Sequence, residues 1–453
     1  MATEVAKKAG RKSRSRALSV WVNGRLAAEW RIPARGPTEF QYDAGWVESE
    51  EGRPLSLSLP FSLDNGVIKG GPVECYFDNL LPDSEAIRRR LQNRFHTSYN
   101  TFELLAAIGR DCVGAVQLLS PSEAPQDVRT IDARPLTEAE VERALAETVM
   151  PPAFADDSAN EDLRISIAGA QEKTAFLYHE GRWCRPLGAT PTTHIFKLPL
   201  GLVGGMQADM TTSVENEWLC AAILRAYGLP VARCEIGQFG AQKVLIVERF
   251  DRQLHSSGKY WLRLVQEDFC QATATPSSIK YESDGGPGMR EIARILRGSA
   301  NRDGDIACLL KAQIIFWMLA ATDGHAKNFS IRILNGGRFQ LTPLYDVLSI
   351  WPVMGEGPHK ISWHHAKLAM AVRGKNKHYL LKDILRRHFN AMAIQCGLGE
   401  TAEPLIKDVL AATPDVIASV QKNLPNGFPQ HLLDAILKGL SESAGRLEAM
   451  AAT

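Results

Sequence analysis

The segment Thr322–Phe329, which reads T-D-G-H-A-K-N-F, constrains the fold of this chain more than any other feature of its 453 residues. The apolar stretch Asp305–Thr322 precedes it and predicts a buried helix that ends in a loop. Phe329–Leu334 then alternates as a strand, and N-G-G at 335–337 is a turn signal before the chain runs back. The sequence therefore predicts a helix, a rigid loop and a β-hairpin in direct succession.

This hairpin gathers three oxygen-bearing side chains. Pairing across it places Asn328 opposite Leu344 or Tyr345, and therefore beside Asp346, while Asp323 begins the loop five positions earlier. In phosphoryl transfer one aspartate orients the substrate hydroxyl, and an amide and a second carboxylate hold magnesium on the nucleotide phosphates. Magnesium takes one or two protein oxygens of this kind and completes its shell with phosphates and waters. The spacing predicts a kinase that uses ATP and Mg²⁺, with Asp323 catalytic and Asn328 and Asp346 as metal ligands.

Three further residues near this loop are open to two interpretations. His325 and Lys327 lie between the predicted base and the predicted ligand, where each either faces solvent or neutralises charge on the transferred phosphoryl group. Tyr345 is either a packing residue or a phosphate contact. We include all three among the candidate site residues.

Lys197 is the candidate phosphate-binding lysine. It lies in the apolar strand T-H-I-F-K-L, where a buried ammonium group requires an anion such as a nucleotide phosphate. The alternative is a lysine of an edge strand whose head group reaches solvent. Its orienting carboxylate is either Glu215 or Glu217, and the sequence does not distinguish them.

The strand V-L-I-V-E-R-F-D-R at 244–252 leaves the strand-rich half of the chain towards the helical half. A kinase hinge runs at this place, so the backbone of Glu248 and Phe250 is expected to bind the adenine edge. A core strand with a charged end is the plainer interpretation, and it is compatible with that role.

The segment S-I-A-G-A-Q-E-K at 166–173 packs small residues into a bend where backbone N–H groups can approach phosphates. It matches neither common glycine-rich phosphate motif, so the signal is weak by itself. Lys173 is either a second phosphate contact or a solvated charge at a strand end. The candidate nucleotide contacts here are Ser166, Ala168, Gly169, Ala170, Gln171 and Lys173.

The order of the predicted elements indicates an α+β, bilobal protein-kinase-like fold with a strand-rich N-lobe, a helical C-lobe and an appended N-terminal α/β subdomain. Leu55–Leu63 alternates with period two and predicts a strand in the subdomain. The predicted divisions are a basic flexible arm at 1–17, the α/β subdomain at 18–120, a linker with a short helix at 121–162, the N-lobe core at 163–255 and the C-lobe at 256–453.

Composition narrows the class of protein. No apolar run approaches the roughly 20 residues of a membrane helix, so we expect no membrane partner. The eight cysteines form no C-x-x-C pair, which indicates reduced thiols and a cytoplasmic protein. The first sixteen residues hold six basic residues against one acidic, which is typical of a solvated arm or of a nucleic-acid contact.

Long motifs of this chain resemble those of the HipA toxins of bacterial type II toxin–antitoxin pairs. They are S-I-A-G-A-Q-E-K-T-A, T-P-T-T-H-I-F-K-L-P, V-E-R-F-D-R, Q-E-D-F-C-Q, P-S-S-I-K-Y-E-S-D-G-G-P-G, A-T-D-G-H-A-K-N-F and L-T-P-L-Y-D. The resemblance implies a bilobal serine/threonine kinase with the Asp323, Asn328, Asp346 and Lys197 roles given above. It also implies self-phosphorylation on Ser166, which we expect to inactivate the enzyme, because the modification adds nearly two negative charges beside the ATP phosphates.

The same resemblance implies partners and a physiological role. It implies a helix-turn-helix antitoxin, operator DNA bound jointly with that antitoxin, and repression of the shared operon. The implied substrate is an aminoacyl-tRNA synthetase such as glutamate–tRNA ligase, with growth arrest and persistence as the outcome. Two alternatives stay open from the residues: a small-molecule or lipid kinase, and a DNA-associated co-repressor with a vestigial kinase site.

Overall fold

The computed structural model describes residues 16–149, 165–169, 171–205 and 207–452. Most of the predicted basic arm, the later part of the predicted linker and Ala170 lie outside these residues. Arg16 and Ala17, predicted to belong to the arm, instead begin the first strand. Arg16 forms an ion pair with Glu103 and lies over the Phe102 ring, so these contacts hold this part of the strand.

The N-terminal subdomain is an antiparallel sheet covered by short helices. Its sheet has the strand order β4-β3-β2-β1-β6, and Trp30 of this sheet stacks on Phe77 with ring centroids 3.8 Å apart. Its elements are β1 (Arg16–Val22), β2 (Arg25–Ile32), β3 (Glu39–Tyr42), α1 (Ala44–Val47), β4 (Ile68–Lys69), α2 (Gly71–Asp78), α3 (Glu85–Arg94), α4 (Thr101–Ile108), β5 (Asp111–Cys112) and β6 (Val116–Leu119).

The predicted strand at Leu55–Leu63 is wrong. Leu55 and Leu59 are fully buried, but the chain between them turns tightly and makes only a local Ser56–Leu59 bridge. Side chains satisfy its backbone instead: the Tyr42 hydroxyl accepts from Leu55 N–H at 2.8 Å and donates to the Leu59 carbonyl at 2.6 Å. The buried leucines Leu55 and Leu59 therefore hold a loop against the core and do not belong to a strand.

The N-lobe is a six-stranded sheet with the order β14-β15-β11-β9-β10-β7. Its elements and the adjoining ones are β7 (Ala133–Pro135), α5 (Glu138–Val149), β8 (Ile165–Ser166), β9 (Lys173–His179), β10 (Arg182–Pro186), β11 (His194–Lys197), β12 (Gly201–Val203), β13 (Ala208–Met210), α6 (Ser213–Ala226), β14 (Cys234–Phe239), β15 (Gln242–Glu248), β16 (Arg252–Leu254) and β17 (Trp261–Arg263).

The side chains of β15 alternate between the two faces of the sheet, and a different helix packs on each face. Val244 and Ile246 pack against α5, whereas Leu245 and Val247 pack on the side of α6. The prediction of a linker at 121–162 is thus wrong for its first part, because β7 and α5 are built into the N-lobe. The apolar face of α5, centred on Leu145, covers the sheet.

The C-lobe surrounds the long helix α9, whose apolar residues are buried almost all round. Its elements are β18 (Gln266–Asp268), α7 (Phe269–Ala272), α8 (Met289–Leu296), α9 (Arg302–Met318), β19 (Ser330–Ile333), β20 (Phe339–Leu341), β21 (Lys367–Arg373), β22 (Lys377–Leu380), α10 (Arg386–Cys396), α11 (Glu403–Lys422) and α12 (Gln430–Ala449).

The predicted hairpin after the loop is confirmed. Ile333 pairs with Phe339 and Ile331 with Leu341, which is the register expected from the turn at 335–337. Strand β18 pairs with the open side of β19, so β19 is the central strand of a three-stranded sheet. Within the described part of the chain, none of the helices combines the length and the apolar content that crossing a bilayer requires.

Candidate active site

A cleft lies between the N-lobe sheet and the loop that follows α9. Its walls contain thirteen of the residues proposed from the sequence: Ala168, Gly169, Gln171, Lys173, Lys197, Glu248, Phe250, Asp323, His325, Lys327, Asn328, Tyr345 and Asp346. Ser166 lies in β8, where its backbone pairs with Cys112 of β5.

Lys197 forms the central ionic contact of the cleft. Its ammonium group lies 2.7 Å from Glu217 Oε1 and 2.8 Å from Asp346 Oδ1, and the residue is only 6% exposed. Glu217 is therefore the carboxylate that orients this lysine. Glu215, the other candidate, turns away from the cleft and pairs with Lys243 at 2.6 Å.

Burial and charge act in opposite directions on these groups. Burial favours the neutral forms, but the two carboxylates beside Lys197 outweigh it and hold the pKa of the lysine above its ordinary value. Likewise, burial acts to raise the pKa of Asp346, but the ammonium groups of Lys197 and Lys173 hold it well below its usual range. Lys197 and Asp346 are thus both charged at neutral pH.

The loop after α9 presents Asp323 and Asn328 on one side of the cleft. The Asn328 amide N–H donates to the Asp323 carbonyl at 2.8 Å, which fixes the amide and leaves its oxygen free of that bond. The Asp323 side chain is 55% exposed at the mouth of the cleft. Asp346 follows the hairpin with a left-handed backbone, φ 61°, a conformation that a non-glycine residue adopts only where its surroundings enforce it.

The Tyr345 hydroxyl makes structural hydrogen bonds inside the protein. It donates to the Lys327 carbonyl at 2.8 Å and contacts the Ser330 hydroxyl, so it braces the loop against the hairpin. This geometry favours the packing interpretation over a phosphate contact. The Tyr345 ring also lies 5.7 Å from that of Phe250.

Lys327 is committed to contacts with other protein groups. Its buried ammonium group donates to Asn79 Oδ1 at 2.7 Å and to Asp268 Oδ2 at 3.0 Å, with Asp83 Oδ1 3.7 Å away. Lys327 therefore links the loop after α9 to the N-terminal subdomain through these contacts. Its predicted contact with the phosphoryl group stays a prediction that this arrangement does not favour.

His325 is buried beside the predicted base. Its Nε2 lies 3.9 Å from Asp323 Oδ1, and its Nδ1 has no hydrogen-bond partner among the described residues. Burial lowers the pKa of His325 below its ordinary value, so the ring is neutral at pH 7. A neutral ring can donate one hydrogen bond but brings no full charge to a phosphoryl group.

The small-residue bend before β9 lies at the N-lobe side of the cleft. Gly169 has φ 111°, a backbone conformation that residues with a side chain rarely adopt, so the position favours glycine. Lys173 Nζ donates to the Ala168 carbonyl at 2.6 Å. The backbone of Lys173 in β9 pairs with that of Lys197 in the neighbouring strand β11. Burial lowers the pKa of Lys173 to about 8, against the attraction of Asp346.

The hinge is held by a buried ionic network. Arg249 and Arg252 flank Phe250 and Asp251, and Arg252 Nη2 lies 2.8 Å from Asp111 Oδ1 of the N-terminal subdomain. Arg249 Nη2 contacts Asp251 Oδ2 at 2.8 Å. The V-E-R-F-D-R motif therefore fixes the path of the hinge and leaves Glu248 and Phe250 lining the cleft.

Several residues at the cleft were not predicted. Asn79 and Asp83 come from the N-terminal subdomain, Asp268 from β18, and Lys280 and Tyr281 from the loop after α7. The K-Y pair of the P-S-S-I-K-Y motif was a signal in the sequence that could have directed attention to the last two. Nothing local marks Asn79 or Asp83, because their partners lie more than 190 positions away.

The donor set of the cleft fits Mg-ATP. Asn328 and Asp346 supply an amide and a carboxylate oxygen for a hard cation, and Lys197 and Lys173 supply positive charge for phosphates. Ile195, Val247 and Phe250 supply an apolar surface for a flat base. No three His, Cys, Asp or Glu side chains of the described chain form a metal cage, and magnesium does not need one.

A strand-rich lobe, a helical lobe and this cleft between them define a kinase. Two family models match the chain: the HipA-like C-terminal domain over residues 165–417 and the HipA N-terminal domain over residues 18–119. The putative kinase Y4mE of Sinorhizobium fredii is 34% identical over 412 residues, which cover 89% of this chain and 92% of that protein. The chain therefore belongs to the HipA family of kinases.

Two further relatives agree. The serine/threonine-protein kinase toxin HipA of Shewanella oneidensis is 29% identical over 321 residues, or 68% of this chain and 69% of that one. The solved Shewanella oneidensis complex of HipA, HipB and operator DNA contains a chain that superposes with a TM-score of 0.77 at 22% identity. That superposition covers 96% of this chain and 98% of the solved chain. It shows that the two chains share one fold.

Proposed function

We propose that this protein is the serine/threonine kinase toxin of a toxin–antitoxin pair, with Mg-ATP as phosphoryl donor. The observation that carries this proposal is the meeting of Asp323, Asn328 and Asp346 with Lys197 in one cleft. Magnesium-bound ATP, when present, supplies the transferable phosphoryl group and the charge that magnesium neutralises.

Each of the proposed catalytic and binding residues has one task in this proposal. Asp323, exposed at the mouth, accepts or orients the proton of a substrate serine or threonine hydroxyl. Lys197, held by Glu217, binds phosphate oxygens, and Asn328 with Asp346 holds the metal. The backbone of Glu248 and Phe250 binds the adenine edge.

The decisive experiment compares Asp323→Gln with Asp303→Asn, a control in which a 95% exposed carboxylate is removed elsewhere in the C-lobe. Labelled ATP and a whole-cell lysate are the substrates, and Mg-ATP affinity is measured in parallel. We expect Asp323→Gln to abolish label transfer with ATP affinity largely kept, and Asp303→Asn to behave as wild type.

The same assay separates the alternatives. Label on a small molecule instead of on protein would favour a small-molecule or lipid kinase. An unmodified protein that turns over no ATP at all would favour a co-repressor with a vestigial site. Full activity of Asp323→Gln would remove the base from the mechanism.

We further propose that Ser166 is a self-phosphorylation site that turns the enzyme off. Ser166 lies directly before the bend that includes Ala168 and Gly169 in the cleft wall, so a phosphate there adds negative charge next to the phosphate-binding lysines. Fully Ser166-phosphorylated protein should bind ATP much more weakly than the Ser166→Ala variant. Equal affinities would contradict this.

The partners follow from the family. The solved relative from Shewanella oneidensis was captured with HipB and its operator DNA, and we propose a helix-turn-helix antitoxin and an operator for this chain as well. We propose an aminoacyl-tRNA synthetase, glutamate–tRNA ligase in the first place, as the cytoplasmic substrate, with growth arrest and persistence as consequences. Phosphoproteomics after induction of the toxin tests the substrate, and co-purification with the neighbouring gene product on operator DNA tests the partners.

A further inference from the structure

Tyr281 lies beside the proposed catalytic base but has no role in the mechanism given above. Its hydroxyl donates a hydrogen bond to Asp323 Oδ1 at 2.6 Å. Its ring meets that of His325 edge-on, with centroids 5.1 Å apart. Lys280 lies over the same ring at 5.6 Å and pairs with Asp83 at 2.8 Å, so the tyrosine is packed from two sides.

We propose that Tyr281 is a positioning residue that holds the Asp323 carboxylate by one oxygen and thereby presents the other oxygen to the substrate hydroxyl. This inference rests on the proposed function of Asp323 as the base. A 55% exposed aspartate at the mouth of a cleft samples several rotamers unless a second group holds it. Phosphoryl transfer depends on position to within fractions of an ångström, so such a group contributes directly to rate.

The loop that carries Tyr281 is built to be rigid. The next residue, Glu282, is 4% exposed and opens a short 3-10 turn at Glu282–Asp284. Its carboxylate accepts from Ala371 N–H at 2.7 Å and pairs with Arg373 at 3.2 Å, which anchors the turn to strand β21. The Tyr281 phenol therefore approaches Asp323 from a rigid turn.

The phenol is also kept as a donor. Burial, followed by the nearby Asp323 charge, raises the pKa of Tyr281 above its ordinary value, so the hydroxyl stays protonated at every pH at which the enzyme is assayed. A neutral phenol facing a carboxylate makes a charge-assisted hydrogen bond, which is stronger than one between neutral groups.

The test uses the full chain with Tyr281→Phe, which removes one oxygen and keeps the ring against His325 and Lys280. Dephosphorylated casein serves as the acceptor, and kcat and KM for ATP are measured separately. We expect kcat to fall about tenfold or more, with KM for ATP, Mg-ATP affinity and melting temperature unchanged. The control Tyr99→Phe removes the hydroxyl of a 38% exposed tyrosine of the N-terminal subdomain and should change nothing.

A double variant adds a readout that a purely structural role would not move. If Tyr281 acts through Asp323, Tyr281→Phe should cost less than about twofold in an Asp323→Glu background, where the longer side chain keeps a carboxylate for measurable transfer but displaces it from the phenol. An unchanged kcat in Tyr281→Phe overturns the inference while leaving the proposed kinase intact. A higher kcat also overturns it, because the phenol would then compete with the substrate hydroxyl for Asp323. If casein takes no label, the same comparison is made on the lysate proteins that wild type labels, and a wild-type protein that labels neither refutes the proposed function and this inference together.

Discussion

The contact between Lys197 and Glu217 gives the sharpest prediction. Glu217→Gln keeps the shape of the side chain and removes its charge, leaving Lys197 with Asp346 as its remaining carboxylate at 2.8 Å. Because Asp346 is also the proposed metal ligand, Glu217 is the partner whose sole proposed task is to hold the lysine. We expect catalysis to suffer more than folding.

The size of the effect follows from the geometry. The Lys197–Glu217 bond is 2.7 Å long between groups that are both less than a tenth exposed, and hydrogen bonds to charged groups contribute about 1.5–3 kcal/mol. At about 1.4 kcal/mol per factor of ten, kcat/KM for ATP should fall by roughly 10- to 150-fold. Initial rates at varied ATP with casein as acceptor measure this ratio.

Glu215→Gln is the matched control, two residues earlier on the same helix. Glu215 is itself 3% exposed, but its partner Lys243 is 46% exposed and lies outside the cleft lining, so this substitution removes an equally buried carboxylate charge without touching the lysine of the cleft. We expect a change in kcat/KM of less than about fivefold. Equal losses in the two variants, or no loss in Glu217→Gln, would refute the assignment of Glu217 to Lys197.

Two further predictions concern the contacts between the subdomain and the kinase core. Burial raises the pKa of Glu267 to about 8, so its contribution to stability is largest below the unfolded value near 4.5 and is lost as pH rises through about 8. Wild type should therefore lose stability relative to Glu267→Gln as the pH rises, so the melting temperature of Glu267→Gln minus that of wild type should increase between pH 5.5 and pH 8.5. A difference that does not change with pH would contradict the raised pKa of Glu267. Asp83→Asn weakens a buried tie to Lys280 and Lys327 and should lower the free energy of unfolding by about 1–3 kcal/mol. Denaturant titration against the exposed control Asp303→Asn measures this, and equal stabilities would contradict it.

The hairpin β19–β20 could be predicted from the sequence because its information is local. Alternation along Phe329–Leu334 and the turn at 335–337 left two neighbouring registers, and the structure takes the one that pairs Ile333 with Phe339. Both registers bring Asn328 and Asp346 to the same end of the hairpin, and both residues line the cleft. The same local reasoning failed at Leu55–Leu63, where alternation was present but the backbone bonds are satisfied by Tyr42 and Glu267 instead of a neighbouring strand.

The partners of the predicted residues could not be derived in the same way. Glu215 and Glu217 both lie in the first turns of α6, and only the packing of that helix on the sheet decides which one meets Lys197. The roles of Tyr281 and Lys327 depend on contacts 42 and 248 positions away along the chain. Composition and periodicity contain no signal for contacts of that range.

Three polar contacts lead from the N-terminal subdomain to the parts of the kinase that must be in register for catalysis. Asp111 binds Arg252 beside the hinge, Asp83 binds Lys280 next to Tyr281, and Leu57 N–H donates to Glu267 in β18 at 2.7 Å. The Asp111–Arg252 contact is buried and the other two are partly buried, so the loss of any of them leaves a polar group without its partner, which costs more than the contact itself contributes. The subdomain is therefore a structural part of the unit that forms the cleft.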